Sequence, residues 1–173
     1  MKDAILVSRA KSGDPDAFVA LMEQHKPAMY RTAAAILHND ADTADAMQDT
    51  ILRCWQNLDK LQKPQYFKTW MTRILINCCK DIIRNNKGLV YLESYDGVET
   101  GTDNTLSDRT VQETIDGLSE NYRLIFTLHY IQGLTVKEIA KLLSMKENTV
   151  KTRLARGRKE FKNIYMDKEA VSL

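Results

Sequence analysis

A basic segment near the C-terminus carries side chains of the types that could bind a polyanion. Between positions 146 and 162, seven Lys and Arg residues stand against two acidic residues. Amide and hydroxyl groups, which can contact base edges or phosphates, lie among them at Asn148, Thr149 and Thr152. Val150 and Leu154 recur at helical spacing and predict one buried face, which leaves the basic residues on the outer faces. A helix of this kind fits the major groove of B-DNA.

The residues before this segment predict the helix that would orient it. Ile139 and Leu143 mark the apolar side of a short helix, and Thr135 with Glu138 has the spacing of a capping box. Residues 144–146 are a tight connection to the basic helix. A solvated basic helix on a helical bundle would explain the charge run alone. The short helix, the turn and the buried positions together favour a helix-turn-helix that binds DNA.

A second candidate surface lies on a helix predicted from about Gln65 to Arg84. Its apolar residues fall at helical spacing: Phe67, Trp70, Met71, Ile74, Leu75, Cys78 and Ile82. Its polar surface is predicted at Thr69, Arg73, Asn77, Lys80 and Arg84. Because Phe67 and Trp70 share the apolar stripe, core packing is the alternative to any binding role for both.

Further helices are predicted on either side of these surfaces. Asp14-Pro15 is a helix start, and Pro27 should kink or interrupt the helix that follows. The next helix is expected from about Asp42 to Leu58, with its apolar side at Ala44, Met47, Ile51, Trp55 and Leu58 and polar residues Asp45, Gln48, Asp49 and Gln56 elsewhere. In the C-terminal part, helices are expected at about 108–117, 119–131, 135–143 and 147–164.

Length, composition and charge predict two small helical domains. The 173 residues include only 7 Gly and 3 Pro, which is too little turn chemistry for an all-β fold, and no apolar run reaches membrane-spanning length. Residues 1–87 carry 13 basic and 10 acidic residues, residues 88–118 carry 1 and 7, and residues 119–173 carry 11 and 6. The fold class is therefore all-α, with domains at 1–87 and 108–165, a flexible acidic linker at 88–107 and a tail at 166–173. A β-hairpin around Val90–Tyr95 is the alternative within the linker.

The remaining reactive side chains do not predict an enzyme. Cys54, Cys78 and Cys79 form no C-x-x-C pair or disulfide framework, and they suit a reducing cytoplasm. His25, His38 and His129 lie on separate elements without metal-ligand spacing. We therefore expect no catalytic site, no metal, no cofactor and no small-molecule substrate.

Two motifs in order resemble one family of proteins. The run from Asp45 to Trp55 (DAMQDTILRCW), followed by Phe67 to Arg84 (FKTWMTRILINCCKDIIR), resembles region 2 of bacterial RNA polymerase sigma factors. The run YRLIF at 122–126, the sequence Gly133-Leu134-Thr135 and the run NTVKTRLARGR at 148–158 are similar to region 4 of the same family. Their order and the acidic connector resemble the short extracytoplasmic-function (ECF) group. Leu118-Ser119 replaces the usual Leu-Pro, and Asn148-Thr149 replaces the frequent Gly-Thr.

The resemblance implies a role for each candidate surface. The −35 promoter element would be contacted by Asn148, Thr149, Lys151, Thr152, Arg153, Arg156, Arg158 and Lys159. The −10 element would be melted and read by Tyr66, Phe67, Trp70, Arg73, Asn77, Lys80 and Arg84, with the loop at 59–65 supplying a base pocket and Asp81 pairing with Lys80 or Arg84. Asp45, Gln48 and Asp49 would contact core polymerase, at the clamp helices of its largest subunit.

The same resemblance implies the remaining partners. The helix from Glu120 to Ile131 would meet the flap of the second-largest polymerase subunit, and the acidic linker would thread channels that otherwise hold nucleic acid. A cytoplasmic factor of this group is commonly held inactive by an anti-sigma factor, often membrane-anchored. Two alternatives are a stand-alone helix-turn-helix regulator and a helical adaptor that binds only proteins. Residues 1–87 lack the strands of a receiver domain, and the basic segment argues against the adaptor.

Overall fold

The computed structural model describes residues 2–86 and 106–171, and every regular element in these two ranges is helical. An N-terminal unit contains α1 (Lys2–Lys11), α2 (Pro15–Leu37), α3 (Asp40–Asn57) and α4 (Phe67–Asn86). A C-terminal unit contains α5 (Leu106–Asp116), α6 (Glu120–Phe126), α7 (Val136–Leu143) and α8 (Glu147–Val171). Short 3₁₀ turns occupy Leu58–Lys60 and Pro64–Tyr66, and a π-helical segment occupies Thr127–Ile131. The all-α prediction is confirmed.

The N-terminal unit is a bundle around one apolar core. Leu21 and Met29 of α2 and Phe67, Met71 and Leu75 of α4 are fully buried in it. Helix α1, which the sequence analysis did not predict, adds to this core. Its last residue, Lys11, donates through Nζ to the Leu61 carbonyl at 2.9 Å, so it fixes the connection between α3 and α4.

Helix α2 begins as predicted but is not interrupted. The Asp14 side chain accepts from the Ala17 N–H at 3.1 Å, and Pro15 occupies the first turn. Pro27 lies within the helix, which continues to Leu37, so the expectation of an interruption was wrong. Met22 precedes Pro27 and Met29 follows it, and both are buried in the same core. This burial offsets the lost backbone hydrogen bond.

The buried face of α3 differs from the predicted one. The prediction placed the apolar side at Ala44, Met47, Ile51, Trp55 and Leu58, whereas the fully buried positions within α3 are Thr43, Ala46, Thr50 and Cys54. Ala44 and Trp55 are exposed, Met47 and Ile51 are only half-buried, and Leu58 just beyond the helix is buried. Small residues on this face let α3 pack closely on α4. The Thr50 hydroxyl donates to the Ala46 carbonyl at 2.6 Å, so it is satisfied within its own helix.

The C-terminal unit contains the predicted helix-turn-helix. Thr135 and Glu138 form a complete capping box at the start of α7. Ser144 ends α7 in the left-handed conformation, at φ 55°, and α8 begins three residues later. Ile139 of α7 and Val150 and Leu154 of α8 are buried together, as the spacing predicted.

Two boundaries of the C-terminal unit differ from those expected. Helix α5 begins at Leu106, inside the stretch predicted as linker, and α8 continues to Val171 through residues predicted as a tail. Lys168, which lies beyond the predicted end of the helix, donates to Glu113 of α5 at 3.5 Å. Phe161 and Ile164, in the turns before it, pack against Ile115 and Leu118. The rest of the predicted linker, with the alternative hairpin at 90–95, lies outside the described residues.

Candidate nucleic-acid and polymerase interface

The outer face of α8 presents most of the predicted −35 residues to solvent. Seven of the eight side chains are exposed: Asn148, Thr149, Lys151, Thr152, Arg156, Arg158 and Lys159. Arg153 is half-buried, with its Nη1 atom 3.9 Å from the Met145 sulfur. The Thr152 hydroxyl donates to the Asn148 carbonyl at 2.9 Å, which leaves its oxygen lone pairs as acceptors. The arrangement is a basic helix surface anchored from beneath by Val150 and Leu154.

Helix α6 and the π-helical segment support α8 from the other side. Gly157 of α8 faces this support: a Cβ atom there would lie 3.2 Å from Tyr122 Cβ and 3.3 Å from Phe126 Cδ2. Glu160 accepts from both the N–H and the hydroxyl of Ser119, at 2.6 and 2.9 Å, so an α8 side chain caps α6. Sequence reasoning missed this cap, because Glu160 looks like one acid among many bases.

Tyr130 is a candidate contact that sequence reasoning also missed. Its side chain is 46% exposed, and its ring packs 4.3 Å from that of Phe126. Its hydroxyl accepts from Arg158 Nη1 at 3.3 Å, so it borders the basic surface. The sequence held one indication of this contact, because Tyr130 is an aromatic residue near the end of the helix predicted at 119–131.

The predicted −10 residues form one stripe along α4. Trp70, Arg73, Asn77, Lys80 and Arg84 recur at steps of three or four, so they share a helix face. The last four are exposed, and Trp70 is half-buried. Tyr66 lies just before the helix and is 53% exposed. One surface thus carries aromatic side chains near the start of α4 and three basic side chains further along the helix.

Phe67 does not belong to this exposed stripe. Its side chain is 0% exposed, and its ring lies 5.6 Å from the His25 ring and 5.9 Å from the Trp70 ring. His25 is itself buried, and its Nε2 lies 2.9 Å from Asp3 Oδ2. Because Phe67 is fully buried, the expectation that its ring offers a base-stacking surface was wrong. Its ring instead packs against Trp70 from within the core.

Asp81 connects the stripe on α4 to α3. Its carboxylate accepts from Arg84 at 2.8 Å and from Arg53 at 3.2 Å. The pairing with Arg84 was expected, whereas Arg53 was not among the predicted site residues. The hydrogen bond with Asp81 raises the pKa of Arg53 above its ordinary value.

The predicted polymerase-contacting residues form an exposed stripe on α3. Asp45, Gln48 and Asp49 are all exposed. Leu52, one turn further, is 54% exposed, and Trp55 is 45% exposed with its ring 4.9 Å from that of Phe18. Acidic, amide and apolar side chains in one strip form a surface suited to another protein.

The thiols and imidazoles do not gather into a reactive centre. Burial raises the pKa of Cys54 and of Cys79 to about 12, so both thiols are unreactive. Within residues 2–86 and 106–171, no three metal-ligating side chains are grouped. No helix in those ranges is long and apolar enough to cross a bilayer.

Comparison with known proteins agrees with both motifs. The model of Sigma-70 region 2 matches residues 21–88, and that of Sigma-70 region 4 matches residues 108–161. The ECF RNA polymerase sigma factor SigW of Bacillus subtilis (strain 168) is 30% identical over 178 residues, which cover 93% of this chain and 95% of SigW. The chain belongs to the ECF sigma factor family. It is therefore a transcription initiation factor that acts with core RNA polymerase at promoter DNA.

Two further comparisons extend over most of the sigma factor. RNA polymerase sigma factor SigV of the same organism is 29% identical, over 89% of this chain and 93% of SigV. The solved structure of CnrH in complex with the cytosolic domain of CnrY has a TM-score of 0.66 and 26% identity, and the match covers 95% of this chain and 97% of that one. These full-length matches favour the sigma factor over a stand-alone regulator, because they include the region 2 helices.

Proposed function

We propose that this sigma factor uses three separate helix surfaces for its three contacts. The exposed face of α8 reads and holds the −35 element, the stripe on α4 with Tyr66 reads the −10 element, and the stripe on α3 binds the clamp helices of core polymerase. The observation that supports this most is the distinct chemistry of the stripes. Basic and amide groups are exposed on α8, aromatic and basic groups on α4, and acidic and apolar groups on α3.

The contacts to DNA divide by chemistry. Arg156 and Lys151 are exposed, and long basic side chains of this kind suit base edges in the major groove. Asn148 and Thr149 lie at the N-terminus of α8, where the helix dipole favours a phosphate. On α4, Asn77 suits a base edge, while Lys80 and Arg84 suit backbone phosphates.

The −10 contact begins with Tyr66 and Trp70. Stacking on an aromatic ring stabilises an unpaired base by about 1–3 kcal/mol. Tyr66 exposes about half of its side chain, and Trp70 is half-buried with its ring 5.9 Å from that of Phe67. The connection at 59–65, fixed by Lys11, is placed to receive a base that leaves the duplex.

The regulation proposed for the sigma factor follows from a relative. CnrH, which this chain resembles over nearly its whole length, was solved with the cytosolic domain of CnrY. We propose that an anti-sigma factor, membrane-anchored in the simplest case, likewise holds this sigma factor inactive in the cytoplasm.

We also propose that the segment at 120–131 contacts the flap of the second-largest polymerase subunit.

A binding experiment with matched variants tests the assignment. Holoenzyme would be titrated with a −35 duplex and, separately, with the single strand of the −10 element. Arg156→Ala should weaken only duplex binding and Tyr66→Ala only single-strand binding. Lys162→Ala, which removes an exposed charge from the same helix as Arg156, should have a smaller effect. Equal losses for Arg156→Ala and Lys162→Ala would show that α8 contributes only general charge.

A further inference from the structure

One side chain of α1 is hydrogen-bonded to the connection between α3 and α4. Lys11, the last residue of α1, is half-buried, and its Nζ donates to the Leu61 carbonyl at 2.9 Å and to the Asp59 carbonyl at 3.4 Å. These acceptors lie 50 and 48 residues further along the chain. Hydrogen bonds from an ionised donor are stronger than neutral ones. Because both acceptors are backbone groups, Lys11 restrains the path of the chain at this point.

Helix α1 is itself fixed to the N-terminal unit, so it can act as a support. Val7 and Ala10 are buried in the core of this unit. Near the start of the helix, Asp3 Oδ2 lies 2.9 Å from Nε2 of the buried His25. The helix also packs against the turn Pro64–Tyr66. The Lys11 ammonium therefore belongs to an element that has both apolar and polar anchors of its own.

The carbonyl that Lys11 holds lies where the connection passes from buried to exposed residues. Leu58 and Leu61 are 4% and 5% exposed, whereas Gln62 and Lys63 are exposed. The Leu61 N–H donates to the Leu58 carbonyl at 3.1 Å, which closes a turn before the exposed pair. The Tyr66 N–H donates to the Lys63 carbonyl at 3.0 Å, which closes a second turn after it. Lys11 thus fixes the peptide group from which the exposed pair begins.

The exposed pair has the chemistry to discriminate among bases. The Gln62 amide both donates and accepts, and the Lys63 ammonium donates. A base that leaves the duplex presents its Watson–Crick edge, which such groups read by hydrogen bonding. Rotation of the peptide group between Leu61 and Gln62 would redirect both side chains, and ordering them on binding would cost affinity. A hydrogen bond that holds this peptide group therefore favours recognition.

We propose that Lys11 is a positioning residue for recognition of the −10 element, a role that rests on the proposed base-binding function of the connection at 59–65. Lys11 touches no DNA. It holds the Leu61 carbonyl, so that Gln62 and Lys63 meet the unpaired base in one arrangement. Helix α1 thereby contributes to promoter selectivity from behind the reading surface.

The test measures binding of holoenzyme, assembled from the full-length chain, to single-stranded oligonucleotides of the −10 element from promoters that it transcribes in vitro. Each position of the element is varied through the four bases, and the ratio of affinities defines the discrimination at that position. Lys11→Met keeps the apolar stem but removes the ammonium, whereas Lys11→Arg retains a charged donor. The control is Lys26→Met, which removes an exposed lysine that pairs with Glu23 on its own helix.

Lys11→Met should lower discrimination at one position of the element about tenfold, as expected for the loss of a hydrogen bond from a charged group. Lys11→Arg should restore most of this discrimination, and Lys26→Met should not change it. The salt dependence of binding should stay the same in Lys11→Met, because the ammonium bonds carbonyl groups rather than phosphate. Amide hydrogen exchange at residues 61–66 of the free chain should become faster, since the connection loses its support.

A direct contact between Lys11 and DNA would give a different result. All bases would then lose affinity equally, and the salt slope would fall by about 0.7, the contribution of one phosphate contact on a single strand. That outcome would overturn the positioning role. Discrimination or hydrogen exchange that Lys11→Met leaves unchanged would overturn it as well.

Tyr66→Ala separates failure of this role from failure of the proposed function. If Tyr66→Ala weakens binding while Lys11→Met leaves discrimination intact, only the positioning role of Lys11 is excluded. If Tyr66→Ala also has no effect, the −10 assignment of this surface is excluded too. Lys11→Gln, whose shorter neutral side chain should give the same loss of discrimination, replaces Lys11→Met if circular dichroism shows that Lys11→Met does not fold.

Discussion

Gly157 lies where the recognition helix approaches its support most closely. An added Cβ would be 3.2 Å from Tyr122 Cβ and 3.3 Å from Phe126 Cδ2. Tyr122 Cβ is attached to the backbone of α6, so no side-chain rotation can move it away. Gly157→Ala therefore requires α6 and α8 to move apart by a few tenths of an ångström.

Two effects of opposite sign decide the outcome of Gly157→Ala. Replacing Gly by Ala inside a helix stabilises it by about 0.8–1.0 kcal/mol. Overpacking a tight interface costs about 1–3 kcal/mol. Because the neighbouring atom is fixed, we expect the steric cost to dominate. The free energy of unfolding should fall by about 1 kcal/mol, which lowers Tm by roughly 2–4 °C for a chain of this size.

The assay is chemical and thermal unfolding followed by circular dichroism. Ala155→Gly, at an exposed position of the same helix, reports the propensity effect alone and should cost about 1 kcal/mol. If Gly157→Ala instead raised stability by the amount that Ala155→Gly lowers it, the close packing of α6 on α8 would be refuted.

Three further predictions follow from individual contacts. Glu160→Ala removes the acceptor for Ser119 at the start of α6, so it should lower the free energy of unfolding by about 0.5–2 kcal/mol. Lys162→Ala should leave the free energy of unfolding nearly unchanged, and equal losses for the two variants would contradict the cap. Tyr66→Ala removes about 1–3 kcal/mol of stacking, so it should weaken binding of the single-stranded −10 element by holoenzyme about 5- to 150-fold. The free energy of unfolding should not change, and a loss of stability would contradict a role of Tyr66 at the surface. Burial and the neighbouring Arg123 hold the pKa of His38 below its ordinary 6.5, although Glu120 opposes this. Unfolding frees His38 to take up the proton, so the free energy of unfolding should fall as pH drops through about 6.5, and His38→Gln should flatten this pH profile. A profile unchanged by His38→Gln would exclude this residue.

The sequence predicted the helix-turn-helix accurately, because the features that define it lie within a few residues of one another. The capping box at Thr135 and Glu138 and the apolar anchors Val150 and Leu154 depend on residues within a few positions of one another. The same applies to the start of α2 at Asp14 and Pro15. The exposed charges of α8 and the acidic stripe of α3 also followed directly from helical spacing.

The misplaced features depend on packing between distant segments. The buried face of α3 consists of small residues, so hydrophobicity alone favoured the bulkier Trp55, which the structure leaves exposed. Phe67 is buried because His25 and Trp70 fill the space around it. The Gln132 side chain is hydrogen-bonded to Thr32, one hundred residues away in the chain. No local periodicity reports such pairs.

Transcription in vitro tests whether this sigma factor directs core polymerase to specific promoters. Purified sigma factor would be added to core polymerase on a library of promoter fragments, with Arg156→Ala and Trp70→Ala in parallel. We expect transcripts from defined start sites that require the sigma factor and that both substitutions weaken. Tight binding of duplex DNA by the chain alone, with no transcript when polymerase is present, would contradict it.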